Sequence, residues 1–294
     1  WKDEDNNRLR NEERNRLYNE TALGKKVADY KKNNMVVSNG FRLMNLFSSR
    51  MRNRELNNAY QNFLMIAEGF SNRYHHYYSS DYRYFGMPDN FSLGGTPLND
   101  TIVVAKTVIE EFRMKSRAQI VNAVFLTDGQ SNQPNQYLNS SNEVDRFRYE
   151  SVHIDDPVTR MRVFPEEVKK HNNRITALLL LALKRSLGIN LLGFFLTSGS
   201  GRRNASNLSY AMSRYPTEED HSKFRKEKFL IDTETAYDEL YIINTKGLEI
   251  DEVDHMGSVQ AGSSKAEIRK ALKKNTKGKL QNRILLNAFI EKVA

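Results

Sequence analysis

The sequence predicts an α/β fold, a mostly parallel sheet flanked by helices, and three observations predict it. Helix-spaced and strand-like apolar runs alternate through the middle of the chain. Two of the strand-like runs, residues 121–126 (VNAVFL) and 189–196 (INLLGFFL), are apolar on both faces, as buried parallel strands are. Each is followed by a polar turn rich in Thr, Asp, Ser and Gly, the composition expected at the carboxyl edge of an open α/β sheet, where ligands bind.

Residues 1–34 are charged and Asn-rich, with Leu9, Leu17 and Val27 too sparse for an amphipathic face. They read as an extended or partly helical lid with a solvated surface. Residues 35–47 hold two apolar bursts around Ser38-Asn39-Gly40, a turn followed by an edge strand or helix start at 41–47. Over 55–69, Leu56, Tyr60, Phe63, Leu64 and Ala67 lie at helical spacing.

The stretch 72–85, NRYHHYYSSDYRYF, has two readings. Arg73, Tyr74, Tyr77, Tyr78 and Arg83 match the way single-stranded nucleic acid stacks on aromatics between cations. The plainer reading is a loop whose tyrosines cover the sheet edge. His75 and His76, being adjacent, point apart on a strand or helix and make poor joint metal ligands.

Residues 93–132 carry the chemistry. Gly94 and Gly95 permit a tight loop that presents Thr96. Pro97 suits the first helical turn, and Leu98, Ile102, Ala105, Val108, Ile109 and Phe112 then follow at helical spacing. The strand 121–126 ends in Thr127-Asp128-Gly129, with Ser131 just beyond. Loop, helix, strand and loop in this order bring Thr96 and Asp128 to one edge of the sheet. A hydroxyl and a carboxylate on two such loops suit Mg²⁺, which prefers oxygen ligands and keeps several waters.

Residues 130–167 form a long polar stretch, a loop over the same edge. Within it Asp155-Asp156-Pro157 reads as a turn, with a carboxylate pair for acid/base work as the less favoured alternative. Pro165-Glu166-Glu167 opens a helix that buries Ile175, Leu178, Leu179, Ala182 and Leu183. The glycines after the strand 189–196 lack the Lys of a nucleotide loop. A helix at 204–214, an extended segment at 224–230 and a last strand at 237–244 complete the sheet. Residues 248–264 read as a linker. Residues 265–294 read as a basic helical pair, with Lys273, Lys274 and Lys277 near its break and an apolar stripe of Ile284, Leu285, Ala288, Phe289 and Val293.

Composition bounds the function. The 294 residues fit one large or two small domains, at 39% hydrophobic and 28% charged. The longest apolar run, 177–183, is far too short to cross a bilayer. With zero cysteines, disulfides, thiolate metal sites and cysteine catalysis are excluded, and a cytoplasmic location fits. Lys plus Arg exceeds Asp plus Glu by 45 − 36, or +9, which favours nucleic acid or an acidic partner.

GGTPL followed by a helix and VFLTDGQSN resembles a von Willebrand factor A (VWA) domain. The phrasing is similar to the VWA proteins of tailed phages that are related to the VWA subunit of cobaltochelatase. Residues 40–60 (GFRLMNLFSSRMRNRELNNAY) and 279–294 (KLQNRILLNAFIEKVA) extend the likeness over most of the chain. The resemblance implies a Rossmann-like, VWA-like core at 93–247. It also implies that 1–92 holds a charged insertion, edge strand and helix, that 248–264 is a linker and that 265–294 is a C-terminal extension. It further implies a metal-ion-dependent adhesion site with Thr96 and Asp128 as metal residues on loops that include Gly94, Gly95, Gly129 and Ser131.

The family's Asp-x-Ser-x-Ser element is missing; Asp89-Asn90-Phe91-Ser92 and Thr197-Ser198-Gly199-Ser200 are the nearest strings. The expectation is therefore that the fold here lacks its first strands. Either the chain is the later part of a longer protein, or it is a homologue without its metal site. Without that element, Thr96 and Asp128 are expected to hold Mg²⁺ weakly or not at all.

Nothing assembles a nucleophile, base and oxyanion donors; Ser131, His153 and Asp128 have no spacing that fixes their geometry. The expected function is a non-enzymatic adaptor whose metal takes a carboxylate from a partner. The resemblance implies an AAA+ ATPase of chelatase type, in the cytoplasm of a phage-infected host, with this chain as a non-catalytic subunit. A basic nucleic-acid-binding phage protein and a structural virion component are the alternatives.

Overall fold

The structure, a computed structural model, describes residues 33–37, 41–75, 95–131, 136–138, 141, 144–146, 153–197 and 202–244. Residues 1–32 of the lid expected at 1–34, the tyrosine run after His75, the linker and the C-terminal extension lie outside the described residues. The chain divides into two compact units, one of residues 1–29 and 38–95, the other of residues 30–37 and 96–294.

In the first unit, helix α1 spans Asn53–His75. It runs further than the apolar spacing suggests and takes in the start of the aromatic stretch. Glu55 fixes its entry by accepting the Arg52 N–H at 2.8 Å. The segment 41–47 is neither strand nor helix. Phe47 packs its ring 4.9 Å from Tyr60 and 5.5 Å from Phe63, on one side of α1.

The second unit holds α/β architecture. Helix α2 (Leu98–Ser116) leads through Arg117, in the left-handed region at φ 55°, into strand β2 (Asn122–Thr127). Helix α3 (Arg174–Leu187) ends at Gly188, whose φ of +56° lies in the left-handed region that glycine enters without a Cβ penalty, and strand β7 (Asn190–Thr197) follows. Helices α4 (Arg202–Ala211) and α5 (Glu218–Glu227) precede strands β8 (Phe229–Asp232) and β9 (Glu239–Asn244). The sheet order is β2-β7-β9-β8, with β2, β7 and β9 parallel and β8 antiparallel.

Alternation along the strands splits the core into two faces. Phe125, Leu191, Phe195, Leu240 and Ile242 join Ile102, the α3 leucines, Leu208 and Phe224 in the main core. Gly193 lies on this face because a Cβ there would meet Tyr237 at 2.9 Å and Leu240 at 2.8 Å. The opposite face carries Leu192, Phe194, Tyr241 and Ile243, with the Phe194 and Tyr241 rings stacked at 4.9 Å.

Four findings correct the sequence reading. The stretch 130–167 is not one loop. It contributes β3 (Gln136–Leu138) and β4 (Val144–Arg146), which form an antiparallel sheet with β1 (Met35–Val36). It also contributes the hairpin β5 (Ile154–Asp156) and β6 (Met161–Val163). Pro165 opens only a 3₁₀ turn, Pro165–Val168, and α3 starts later. Residues 218–227 are helix, so the segment 224–230 is extended only from Phe229 onward. Finally, 121–126 is less buried than expected: among the described residues β2 pairs with β7 alone, Val124 and Leu126 are 45% and 64% exposed, and on α2 Val108 and Phe112 are 45% and 49% exposed.

Candidate functional site

The parallel strands β2, β7 and β9 all finish on polar residues, Thr127, Thr197 and Asn244. Thr197 and Asn244 are register partners and both are buried. The carboxyl edge of the sheet is therefore a row of oxygen- and nitrogen-bearing side chains over an apolar core.

Two loops meet on this edge. Gly129 and Thr96 are so close that a Cβ on Gly129 would lie 2.7 Å from Thr96 Oγ1. Gly129 has no positive φ; it is needed for close approach. The Ser131 hydroxyl accepts the Asn99 N–H at 3.2 Å, across 32 residues of chain. That donor is one of the first-turn amides of α2, and Pro97 supplies no side-chain cap of its own. Ser131 thus caps the helix from the opposite loop and ties the two segments together.

Further hydrogen bonds hold the β2 loop. Thr127 Oγ1 donates to Gly129 O at 2.7 Å and accepts the Gly129 N–H at 3.2 Å, a Ser/Thr turn. The Gln130 N–H donates to the Tyr210 hydroxyl at 3.1 Å, and Gln130 Nε2 donates to the Tyr210 carbonyl at 2.6 Å. Tyr210 lies on α4, packed edge-on against Phe195 at 5.9 Å. Behind the loops, Thr176 Oγ1 donates to Asn99 Oδ1 at 2.7 Å, both residues buried. Asp128 itself is exposed, at the turn between Thr127 and Gly129.

Thr96, Gly129 and Ser131 are thus brought together on the edge that carries Asp128. Gly95 is exposed at the start of the Thr96 loop, and Gly94 is outside the described residues. Arg73 and Tyr74 fall in the last turn of α1, where side chains are outside the described set, as are Tyr77, Tyr78, Arg83, Lys273, Lys274 and Lys277. Asn99, Gln130 and Tyr210 were not singled out in the sequence, and Thr127 was read only as the start of the Thr127-Asp128-Gly129 loop. Thr127 was the legible one, since Thr-x-Gly at a strand end is a turn signal.

The donor set fits a hard divalent cation in kind: a hydroxyl and one carboxylate, with a second hydroxyl engaged by an amide. Among the described residues no group of three or more His, Cys, Asp or Glu side chains is placed to hold a metal. Thr96 and Asp128 suffice for Mg²⁺ only if water and a partner supply most of its ligands.

The other candidate groups are structural. Asp155 is bound by Arg162 through bonds of 2.7 and 2.9 Å, which hold its carboxyl below the usual range. His153 Nε2 lies 3.5 Å from Asp155. Asp156 is buried, which pushes its carboxyl up; hydrogen bonds from Lys106 (2.8 Å), Thr159, Ser186 and the Val158 N–H outweigh that and bring it far down. Asp155 and Asp156 therefore pin a hairpin turn and are not an acid/base pair.

At the opposite, amino edge of the sheet, Arg214 holds Asp220 at 2.7 Å and keeps its carboxyl down to about 2. No helix among the described residues is long and apolar enough to cross a membrane. No protein family, curated protein or solved structure is matched by this chain.

Proposed function

We propose that the chain is a non-enzymatic adaptor of the VWA kind, in which Thr96 and Asp128 hold Mg²⁺ and a protein partner completes the coordination with a carboxylate. The observation that supports this most is the contact between Gly129 and Thr96 Oγ1, which seats the hydroxyl of one loop against the loop bearing Asp128. A bound Mg²⁺ would supply a Lewis-acidic attachment point for an anionic ligand.

The chain's own residues have three tasks in this reading. Asp128, exposed on its turn, lends the negative charge that retains a cation. Thr96 lends a neutral oxygen held in position by Gly129. The first turn of α2, a 19-residue helix, directs its positive end at this edge and favours an incoming carboxylate. With one protein charge at the site, affinity for the ion alone is low, and ion and partner bind as a pair. That coupling makes the contact switchable.

The resemblance of GGTPL and VFLTDGQSN to the VWA proteins of tailed phages points to an AAA+ ATPase of chelatase type as the partner, in the host cytoplasm. The decisive experiment is affinity capture from infected cells with and without Mg²⁺. An ATPase retained with Mg²⁺, and lost with chelator or with Asp128→Ala, supports the reading. An ATPase retained equally under all three conditions, or none in any, removes it.

A second reading rests on the +9 net charge, which favours a polyanion. In it the chain binds single-stranded nucleic acid through the tyrosine run at 72–85 and the lysine-rich tail. Binding that falls steeply between low and physiological salt would support it.

A further inference from the structure

We propose that the Tyr210 hydroxyl is a direct contact for the partner's carboxylate, to which it donates a hydrogen bond. The inference rests on the cation reading and adds a residue of this chain that the partner itself touches. Tyr210 holds the Asp128 loop by both ends of Gln130, its carbonyl accepting Gln130 Nε2 at 2.6 Å and its hydroxyl accepting the Gln130 N–H at 3.1 Å. A phenol that accepts in this way keeps its own proton to give. That proton meets no acceptor among the described residues. The side chain is 44% exposed, and its ring packs edge-on against Phe195 at 5.9 Å.

The position suits a ligand seated at Thr96 and Asp128. Gln130 follows Gly129, and Gly129 lies against Thr96 Oγ1. These two contacts, joined by one peptide link, keep the Tyr210 hydroxyl within about 10 Å of Thr96 Oγ1. The chemistry selects a carboxylate. A hydrogen bond to an ionised acceptor is roughly twice as strong as one to a neutral acceptor. A phenol donates it without bringing a positive charge beside a cation, as Lys or Arg would.

The test uses a glutamate tripeptide with blocked ends as the probe, its binding followed by saturation-transfer NMR at saturating Mg²⁺. Tyr210→Phe keeps the ring and the carbonyl and loses only the hydroxyl. It should bind the peptide about tenfold more weakly than the wild type, with Mn²⁺ uptake unchanged. The glutamine version of the peptide should not distinguish the two proteins. Gln130→Ala, which cuts the Nε2 bond and keeps the backbone one, should bind the glutamate peptide as the wild type does. A readout that needs no variant to fold is the wild-type chain labelled on its tyrosine rings. One ring signal should shift with the glutamate peptide and stay put with the glutamine one. Mn²⁺ uptake by both proteins with equal peptide affinity would overturn the inference and leave the cation reading standing. Loss of Mn²⁺ uptake in Tyr210→Phe would make Tyr210 a prop of the loop and overturn the contact. The absence of any ring shift would overturn it as well. No Mn²⁺ uptake by the wild type would remove the cation reading and this inference together.

Discussion

Gly129 offers its bare Cα to Thr96: a Cβ at that position would stand 2.7 Å from Thr96 Oγ1 and 3.6 Å from its Cβ. A real Cβ essentially never sits that close to another heavy atom, so the two loops of the candidate site meet at a distance that glycine permits. Gly129→Ala should cost about 1–2 kcal/mol, as one extra methyl in a filled space does. Thr96→Ala removes the obstructing oxygen. The double variant should therefore be less destabilised than the sum of the singles, measured by urea unfolding. Additive costs would show that the loops are not in register as described.

Ser131→Ala should cost about 1 kcal/mol, the usual loss when a helix N-terminus forfeits its side-chain acceptor. The missing acceptor is the one for the Asn99 N–H. Hydrogen exchange gives the local readout: amides in the first turn of α2 should lose protection while those of α3 keep theirs.

Lys106 and Asp156 join α2 to the β5–β6 hairpin at 2.8 Å, with the carboxylate 5% exposed. Lys106→Ala removes the counter-charge but leaves the carboxylate its bonds from Thr159, Ser186 and the Val158 N–H, and should cost about 2 kcal/mol at neutral pH. In the wild type Asp156 is held far below its ordinary 3.8, so its stabilisation is present above that value and declines as pH falls below it. Without Lys106 the carboxyl is depressed less, so less of its stabilisation is there for acid to remove. The gap between variant and wild type, followed by thermal unfolding, should therefore narrow from pH 7 to pH 3.

His171 is buried and its imidazole is pushed below 6.5 by burial and by the charge of Lys170, against the pull of Asp232. The unfolded chain then takes up the proton first, and stability should fall as pH drops below about 6.5. Asp232, buried and raised, has the opposite sign and acts above its ordinary 3.8, where the folded state protonates first. His171→Gln should flatten the wild-type decline between pH 7 and pH 5. An identical slope in both proteins would remove His171 as its source.

How much of this was legible in the sequence depends on what each residue reveals locally. The run INLLGFFL reads as an interior strand because both faces are apolar, and β7 does sit between β2 and β9. Leu178, Leu179, Ala182 and Leu183 read as one helix face and are buried. Helix α5 was missed because Phe224 is its one buried residue. Its signal lay instead in the capping box, where Thr217 accepts the Asp220 N–H and Asp220 accepts the Thr217 N–H. The three-residue strands of the two hairpins are too short to show a period. Pro165 marked a start, but only a 3₁₀ turn forms there, and the chain bends through buried His171 before α3 begins. The meeting of Thr96 with the Asp128 loop followed from the order of loop, helix, strand and loop. Ser131 as a cap from across the edge did not, since a contact between residues 32 positions apart leaves no local pattern.

The most direct test of the cation reading is Mn²⁺ uptake by the chain alone, followed through the paramagnetic resonance of the free ion and competed with Mg²⁺. One ion should bind with a Kd of about 1 mM, a weak oxygen-donor site. Thr96→Ala and Asp128→Ala should each abolish that uptake without altering thermal unfolding in chelator. No uptake by the wild-type chain, or uptake that survives the loss of Asp128, would contradict it.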